Sequence, residues 1–468
     1  MKRSRTVQLV EWDRKTVWHP FTQMKDWQAD PVIVVDRGEG NTLIDTDGRR
    51  YLDGVSSLWA NLHGHRVKRI DRAIKAQLGK ISHSTFLGLS HEPAIQLSRR
   101  LLRLAPKNLK RVFYSDSGSA AVEVALKMAY QYWQLKGLKK KKTFLKLKNA
   151  YHGDTLGAVS VGGISLFHEI FHPLLFKAYQ ADAPYLYRDV FSAKGACLPD
   201  RQGPALGGRF TEAEYARFCA DKAEKILKRH HSEICALVAE PVMQGAAGML
   251  VQPAGYMKRL RQLTKKYGVL LIADEVATGF GRTGKMFACE HDGVKPDFLC
   301  LAKGITGGYL PLSATLSTEE IYNKFLGDYG EFKAFFHGHT YAANPLACAA
   351  ALANLDIFEK ENVLVRLQPK IELLKQELLK IKHLPHVGDV RQAGLMVGIE
   401  LVKDLKTKAP YPLDEKRGIR VCLLARKKGV MLRPLGNVIV LMPPLSITNA
   451  EIMNLCRVVG DCIQEAIQ

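Results

Sequence analysis

Apolar residues change their spacing twice along the chain, and the changes mark out regions. Between residues 31 and 52 they come in short runs, 31–35 and 42–45, around Gly38 and Gly40, with Asp47-Gly48 just ahead of Tyr51-Leu52. Runs broken by Gly and by Asp-Gly predict a small antiparallel unit. Spacing of three to four then predicts helices over 69–78 and 92–104, the second stopped by Pro106. From residue 111, short apolar runs alternate with helical periodicity. Strands are expected at 111–114, 143–148, 234–239, 269–273, 298–302 and 311–316, and helices at 120–133, 211–230 and 256–267. Val122, Leu126, Ala129 and Trp133 fall on one face of the first of those helices. The span 165–212, with several Pro and Gly, reads as largely irregular. Beyond FFHGHTYAANP the order becomes mixed, with helices over 346–359, 364–382 and 416–428 and strands at 394–401, 430–433 and 438–442. The fold class expected is therefore α/β: a large domain, 61–345, with a mostly parallel sheet, and a smaller α+β domain made of 1–60 and 346–468.

Composition narrows the class without changing this outline. A chain of 468 residues, 47% apolar and 24% charged, can bury a large core. The start, MKRSRTVQLVEWDRK, lacks the apolar segment of a secretory signal, and no apolar stretch approaches a bilayer's thickness. Nine cysteines are scattered without disulfide or zinc spacing, as in a cytoplasmic protein with reduced core thiols. No metal site is expected. A formal charge of +22 invites a nucleic-acid partner. The lysines are spread out, however, and the one dense run, Lys139–Lys142, is expected to close a helix and stay solvated. A basic nucleic-acid-binding protein remains the different-class alternative, and its mark would be salt-dependent retention on DNA.

Candidate chemistry gathers at strand ends. Asp274 ends one buried run and Lys303 ends another, and ligands of open α/β sheets bind beyond the carboxyl ends of the strands. Alone, the lysine could be solvated or touch a phosphate, and the acid could cap a helix or bind a metal. Together they match the needs of pyridoxal phosphate: an amine to join the cofactor and a carboxylate to keep its ring nitrogen protonated. SDSGS, 115–119, joins a strand to a helix. Free N–H groups there can seat a phosphate, with Gly118 allowing close approach and Ser119 adding a hydroxyl, although ordinary N-capping uses the same residues. The turn lacks the GxGxxG of dinucleotide sites. Tyr151 and His152 follow another strand, where either could stack on a flat ring or simply belong to the core. Gly338, His339 and Thr340 form a second polar loop able to reach a phosphate, with Thr340 the better donor of the two side chains. Arg433 could hold a substrate carboxylate through its planar fork, or make a surface ion pair.

These motifs, read together, resemble the class III (ω-) aminotransferases of pyridoxal-phosphate fold type I, over roughly residues 18–444. The resemblance is carried by WHPFTQM, SSLWANLHGH, SDSGSAAVEVALKMAYQYW, YHGDT, ADEVATGFGRTGKMFACEH, LAKGITGG and HGHTYAANPLACAAA. Within the family, WHPFT, GFGRTGKMFACEH and RPLG look most like the members that convert 8-amino-7-oxononanoate to 7,8-diaminononanoate in biotin biosynthesis. The runner-up is an ω-aminotransferase for another diamine, keto acid or aldehyde. The resemblance implies that Lys303 joins the cofactor and passes the proton, and that Asp274 pairs with the ring nitrogen. Gly118, Ser119 and, from a partner subunit, His339 and Thr340 would hold the phosphate. Tyr151 would stack on the ring within a polar surround that includes Asp154, with His152 and Glu240 close to the cofactor. Gly338 and Arg433 would contact the substrate, and a homodimer with shared sites is implied.

Two positions depart from the family's commonest pattern. Phe21 stands where a Tyr is usual and Leu58 where a Trp is usual, next to Trp59. The resemblance makes these substrate contacts, and S-adenosylmethionine the usual amino donor. Losing a hydroxyl and a large ring should weaken that donor by about 1–3 kcal/mol if both contacts matter. A branch using L-lysine has similar segments, so both donors are carried forward.

Overall fold

The structure is a computed structural model that describes residues 4–188 and 211–467. Cys197 and the last part of the irregular span lie outside the described residues.

A seven-stranded sheet forms the centre, in the order Leu109–Ser115, Ser313–Thr318, Phe298–Leu301, Leu270–Asp274, Ile234–Ala239, Thr143–Leu147, Tyr179–Ala181. Its neighbours pair in parallel except where Ser313–Thr318 runs against both of its own. Every residue of Ile234–Ala239, Leu270–Asp274 and Phe298–Leu301 is buried. Parallel strands covered on both faces need continuous apolar runs, and that is why the pattern located them closely. The helix Gly118–Leu135 packs across this sheet with Val122, Leu126, Ala129 and Trp133 inward. On it, Ser117 is the N-cap, accepting from the N–H of Ala120 at 3.2 Å. The helix Glu212–His230 begins with a Thr211–Glu214 capping box.

Two four-stranded sheets flank the centre. Val35–Glu39, Thr42–Asp45 and Arg50–Asp53 are antiparallel, and Val430–Met431 joins them in parallel through Leu52 and Asp53. The first strand lies later than the run at 31–35. Pairing of Glu39 with Thr42 across the Gly40-Asn41 turn sets the register, and Gly40 takes the left-handed backbone that turn requires. The other sheet runs Val387–Ala393, Met396–Leu401, Val438–Leu441, Arg433–Leu435, all antiparallel.

Several elements lie outside the expected list. Val387–Ala393 reads as polar because it contains Arg391. That side chain is buried, donating to Glu400 at 2.6 Å and to the carbonyls of Gly248 and Met249. The helices Arg5–Thr16, Met24–Ala29 and Asn449–Ile467, and short turns within 165–174, add to it. The lysine run also behaves differently. Its helix ends at Leu135, and Lys141 is buried rather than solvated, its ammonium donating to the carbonyls of His231, Ile234 and Gly268 at 2.7–2.9 Å. Three fixed acceptors replace the water that the dipole argument assumed. All eight described cysteines are buried. Among the described residues no helix is long and apolar enough to cross a membrane, and no His, Cys, Asp and Glu group has metal-binding geometry.

Candidate active site

A cavity of about 370 Å³ opens at the carboxyl ends of the parallel strands. Its volume is that of a small-cofactor site. Asp274 ends its strand inside this cavity, Lys303 stands two residues beyond Leu301, Glu240 directly follows Ala239, and Tyr151 and His152 follow Thr143–Leu147. Four strands thus deliver one acid, one amine, a second acid and an aromatic pair to the same space.

Asp274 is buried and held at both oxygens. His152 donates from Nδ1 to Oδ2 at 2.7 Å, and the N–H of Val276 donates to Oδ1 at 3.0 Å. His152 is itself buried, and its Nε2 has no partner among the described residues. Donation from Nδ1 places the imidazole proton on the Asp274 side, so the ring orients the carboxylate. Lys303 adopts φ +37°, a left-handed backbone that costs a non-glycine residue roughly 1–2 kcal/mol. Burial pushes its amine below the ordinary lysine value, against the pull of the carboxylates of Asp274 and Glu240. Its Nζ lies 5.4 Å from the centre of the Trp59 ring. Glu240 accepts from the N–H of Tyr151 at 3.1 Å and of Gly245 at 2.9 Å, and burial pushes it up to about 7. The Tyr151 hydroxyl donates to Asp154 at 2.7 Å. Burial and that bond push the phenol upward, so it stays protonated.

At the far wall, the helix start brings in Gly118 and Ser119. Among the described residues no backbone acceptor takes their N–H groups, which leaves them for a ligand anion. A Cβ on Gly118 would lie 2.5 Å from the Val276 side chain, so only glycine lets these two segments meet. Ser119 Oγ accepts from the N–H of Asp154 at 3.2 Å, which ties this wall to the Tyr151 loop.

The remaining sequence candidates are spread more widely. Trp59 lines the cavity, but Leu58 points outward and is 54% exposed. Ser56–Trp59 form a left-handed turn with φ of 50°, 46°, 70° and 71°. Asp53 holds it by accepting from the N–H and hydroxyl of Ser57, and Ser56 Oγ donates to the carbonyl of Met442. Phe21 sits with Trp18, Phe167 and Leu413 around a separate depression, its ring against Phe167 at 5.5 Å. Arg433 stands exposed on an edge strand. Gly338 and Thr340 are exposed, and His339 Nδ1 bonds Asp116 Oδ1 at 2.8 Å near the cavity mouth. Within a single chain, Phe21, Leu58, Gly338, His339, Thr340 and Arg433 do not line the cavity. Asp116, Val276, Ala277, Thr306 and Tyr309 line it and were not singled out from the sequence. Val276 and Ala277 had a usable signal, since they directly follow Asp274.

Comparison with known proteins decides the family. The model of aminotransferase class-III matches residues 23–463. The chain belongs to the class III aminotransferases. It is 54% identical over 462 residues to the adenosylmethionine-8-amino-7-oxononanoate aminotransferase of Nitratidesulfovibrio vulgaris, covering 98% of this chain and 82% of that one. The crystal structure of the enzyme of the same name from Methanocaldococcus jannaschii superposes with a TM-score of 0.91 at 49% identity, covering 99% of this chain and 100% of that one. An amine transaminase from an uncultivated Pseudomonas species, solved in its PLP-bound form, superposes with a TM-score of 0.86 at 39% identity, covering 96% and 98%. Class III aminotransferases are pyridoxal-phosphate enzymes of fold type I, and this class III chain carries the matching sheet and helices. Its cavity residues also fit the cofactor. The donor set supplies an amine, an oriented buried carboxylate and two free helix-start N–H groups, within a volume suited to one small aromatic phosphate.

Proposed function

We propose that this class III aminotransferase transfers an amino group to the ketone of 8-amino-7-oxononanoate, giving 7,8-diaminononanoate for biotin. The observation that supports it most is the Lys303, Asp274 and His152 arrangement at the strand ends, in a chain about half identical to relatives named for that reaction. Bound pyridoxal phosphate supplies an electron sink that makes the hydrogen on an amine-bearing carbon acidic. Lys303 would hold the cofactor until the amine of the donor displaces it, and its freed, desolvated amine would then take that proton and later return it. Asp274, fixed by His152 and Val276, holds a negative charge against the ring nitrogen. Gly118 and Ser119 would seat the phosphate, and Tyr151, Val276 and Ala277 would line the space left for the ring. Glu240 fixes the Tyr151 loop through its backbone bonds. In the first half-reaction the donor leaves as a carbonyl compound. In the second, the ketone of the acceptor becomes the new amine.

The same reading assigns Phe21, Leu58, Trp59, Gly338 and Arg433 to substrate contacts, with Arg433 on the acceptor carboxylate. A homodimer would bring the exposed ones to a site, and would have His339 and Thr340 complete the phosphate seat of a second copy. Large exposed apolar side chains such as Trp18, Leu87, Ile170 and Phe336 support a covered surface of this kind. The cytoplasm suits cysteines that are buried and carry no disulfide spacing. S-adenosylmethionine is the donor named in the relatives. L-lysine is the second reading, favoured by the missing hydroxyl at Phe21 and the missing indole at Leu58. The test incubates cofactor-loaded protein with 8-amino-7-oxononanoate and each donor separately, and measures 7,8-diaminononanoate by mass spectrometry. Product with one donor supports the reading and names the donor. No product with either, alongside turnover of other ω-amines, would replace it.

A further inference from the structure

The turn that carries Lys303 is held from behind by a polar chain that takes no part in the chemistry above. Lys303–Thr306 is a single tight turn ending at Gly307, and a lysine at φ +37° persists only where its surroundings fix it. The fixing groups come from the helix Pro345–Lys360. Asn354 is fully buried on it, and its Nδ2 donates to the carbonyl of Gly304 at 2.9 Å and of Ile305 at 3.0 Å. A carboxamide has two N–H donors, and both are spent here, so its oxygen must accept. It accepts from His63 Nε2 at 2.8 Å. The amide's orientation therefore fixes the imidazole tautomer, with the proton on Nε2. The edge of the His63 ring meets Phe358 on the same helix, 5.2 Å between ring centres.

We propose that Asn354 and His63 are positioning residues for Lys303: they lock the backbone just after it, so that its amine is aimed into the cavity. Burial pushes His63 down to about 4, with the nearby Arg282 charge acting the same way and the bond to Asn354 opposing. The ring thus stays neutral at working pH, and the tautomer that Asn354 requires is the one present. Gly307, at φ +67°, closes the turn, and a Cβ there would lie 3.3 Å from the Asn354 oxygen. The helix and the turn are therefore in direct packing contact as well as bonded. The proposal rests on Lys303 being the lysine that holds the cofactor.

The test uses cofactor-loaded protein and three variants. Asn354→Asp keeps the shape and removes both donors. His63→Leu removes the donor to Asn354 together with the ring that meets Phe358, whereas His63→Gln also lacks the ring but returns an amide N–H near the position of Nε2. The readouts are kcat, KM for 8-amino-7-oxononanoate, Tm, and the pH midpoint of the visible absorption of the lysine-bound cofactor. Asn354→Asp and His63→Leu should lower kcat roughly 10- to 100-fold, as expected for a misaimed reacting group. KM should change by less than about 3-fold, as for an interaction felt in the transition state. The absorption midpoint should move by about half a unit or more, because the amine's surroundings change. His63→Gln should recover most of both effects. If His63→Leu and His63→Gln keep the parent's kcat and midpoint while only Tm falls, the residues are merely structural and the proposal is overturned. The His63 pair leaves Asn354 in place and decides the matter even if Asn354→Asp does not fold. Absence of the visible band from the parent protein would instead refute the Lys303 reading.

Discussion

Replacing His152 by Leu tests how much of the site depends on the orientation of Asp274. The substitution deletes the 2.7 Å bond from Nδ1 to Asp274 Oδ2 and leaves only the N–H of Val276 on the other oxygen. Both side chains are at least 96% buried, so water does not readily replace the lost donor. A hydrogen bond to a charged group contributes about 1.5–3 kcal/mol. At about 1.4 kcal/mol per factor of ten, the loss corresponds to roughly 10- to 100-fold. Part of it should appear as weaker cofactor binding, measured by absorbance titration of the cofactor-free protein. The remainder should appear as a slower half-reaction with the amino donor under single-turnover conditions. His152→Asn, whose amide can donate near the position of Nδ1, should keep most of both. Cofactor affinity and half-reaction rate of His152→Leu within about 2-fold of the parent would show that Asp274 needs no such support, and would refute the reasoning.

Other consequences follow from buried charge and from the substrate contacts. Burial lowers the Lys303 pKa in the folded chain, so between that value and the ordinary 10.5 the unfolded chain holds more protons. The amine therefore destabilises the cofactor-free fold fully at low pH, by about 1.4 kcal/mol per unit of lowering, and the cost fades as pH rises toward 10.5. Cofactor-free Lys303→Met should melt higher than the parent at neutral pH, with the gap closing in alkaline buffer. Glu275 is fully buried and accepts from the N–H of Ala288 and of Cys289 on separate oxygens. Glu275→Gln retains one acceptor and turns a donor toward the other N–H, so urea denaturation should show a loss of about 1–3 kcal/mol. If Phe21 and Leu58 limit the donor, Phe21→Tyr with Leu58→Trp should raise kcat/KM for S-adenosylmethionine by roughly 5- to 100-fold, which is 1–3 kcal/mol. No change in donor competition assays would remove both residues from the donor site.

How much the sequence reveals depends on whether a residue's partners are local. The strands Ile234–Ala239 and Leu270–Asp274 were legible because burial on both faces demands uninterrupted apolar runs. Strand ends in turn placed Asp274 and Lys303. His152 was seen as a residue near the cofactor, yet its bond to Asp274 spans 122 positions and no spacing rule reports it. The burial of Lys141 is silent for the same reason, since its three carbonyl partners come from distant segments. Val387–Ala393 hid because Arg391, a polar signal, is neutralised inside by Glu400 on the neighbouring strand. The left-handed turn Ser56–Trp59 is equally silent. It exists because Asp53 captures Ser57, and it separates two adjacent positions, Trp59 into the cavity and Leu58 away from it.

The central claim is that, of the chain's many lysines, Lys303 alone is the one whose amine joins the cofactor beside Asp274. Borohydride reduction of the cofactor-loaded protein fixes that bond, and peptide mass spectrometry then locates the label. The account predicts the phosphopyridoxyl mass on Lys303 alone, absent when Lys303→Ala is treated in the same way. Stoichiometric label on any other lysine, or an unlabelled Lys303 in active enzyme, would contradict it.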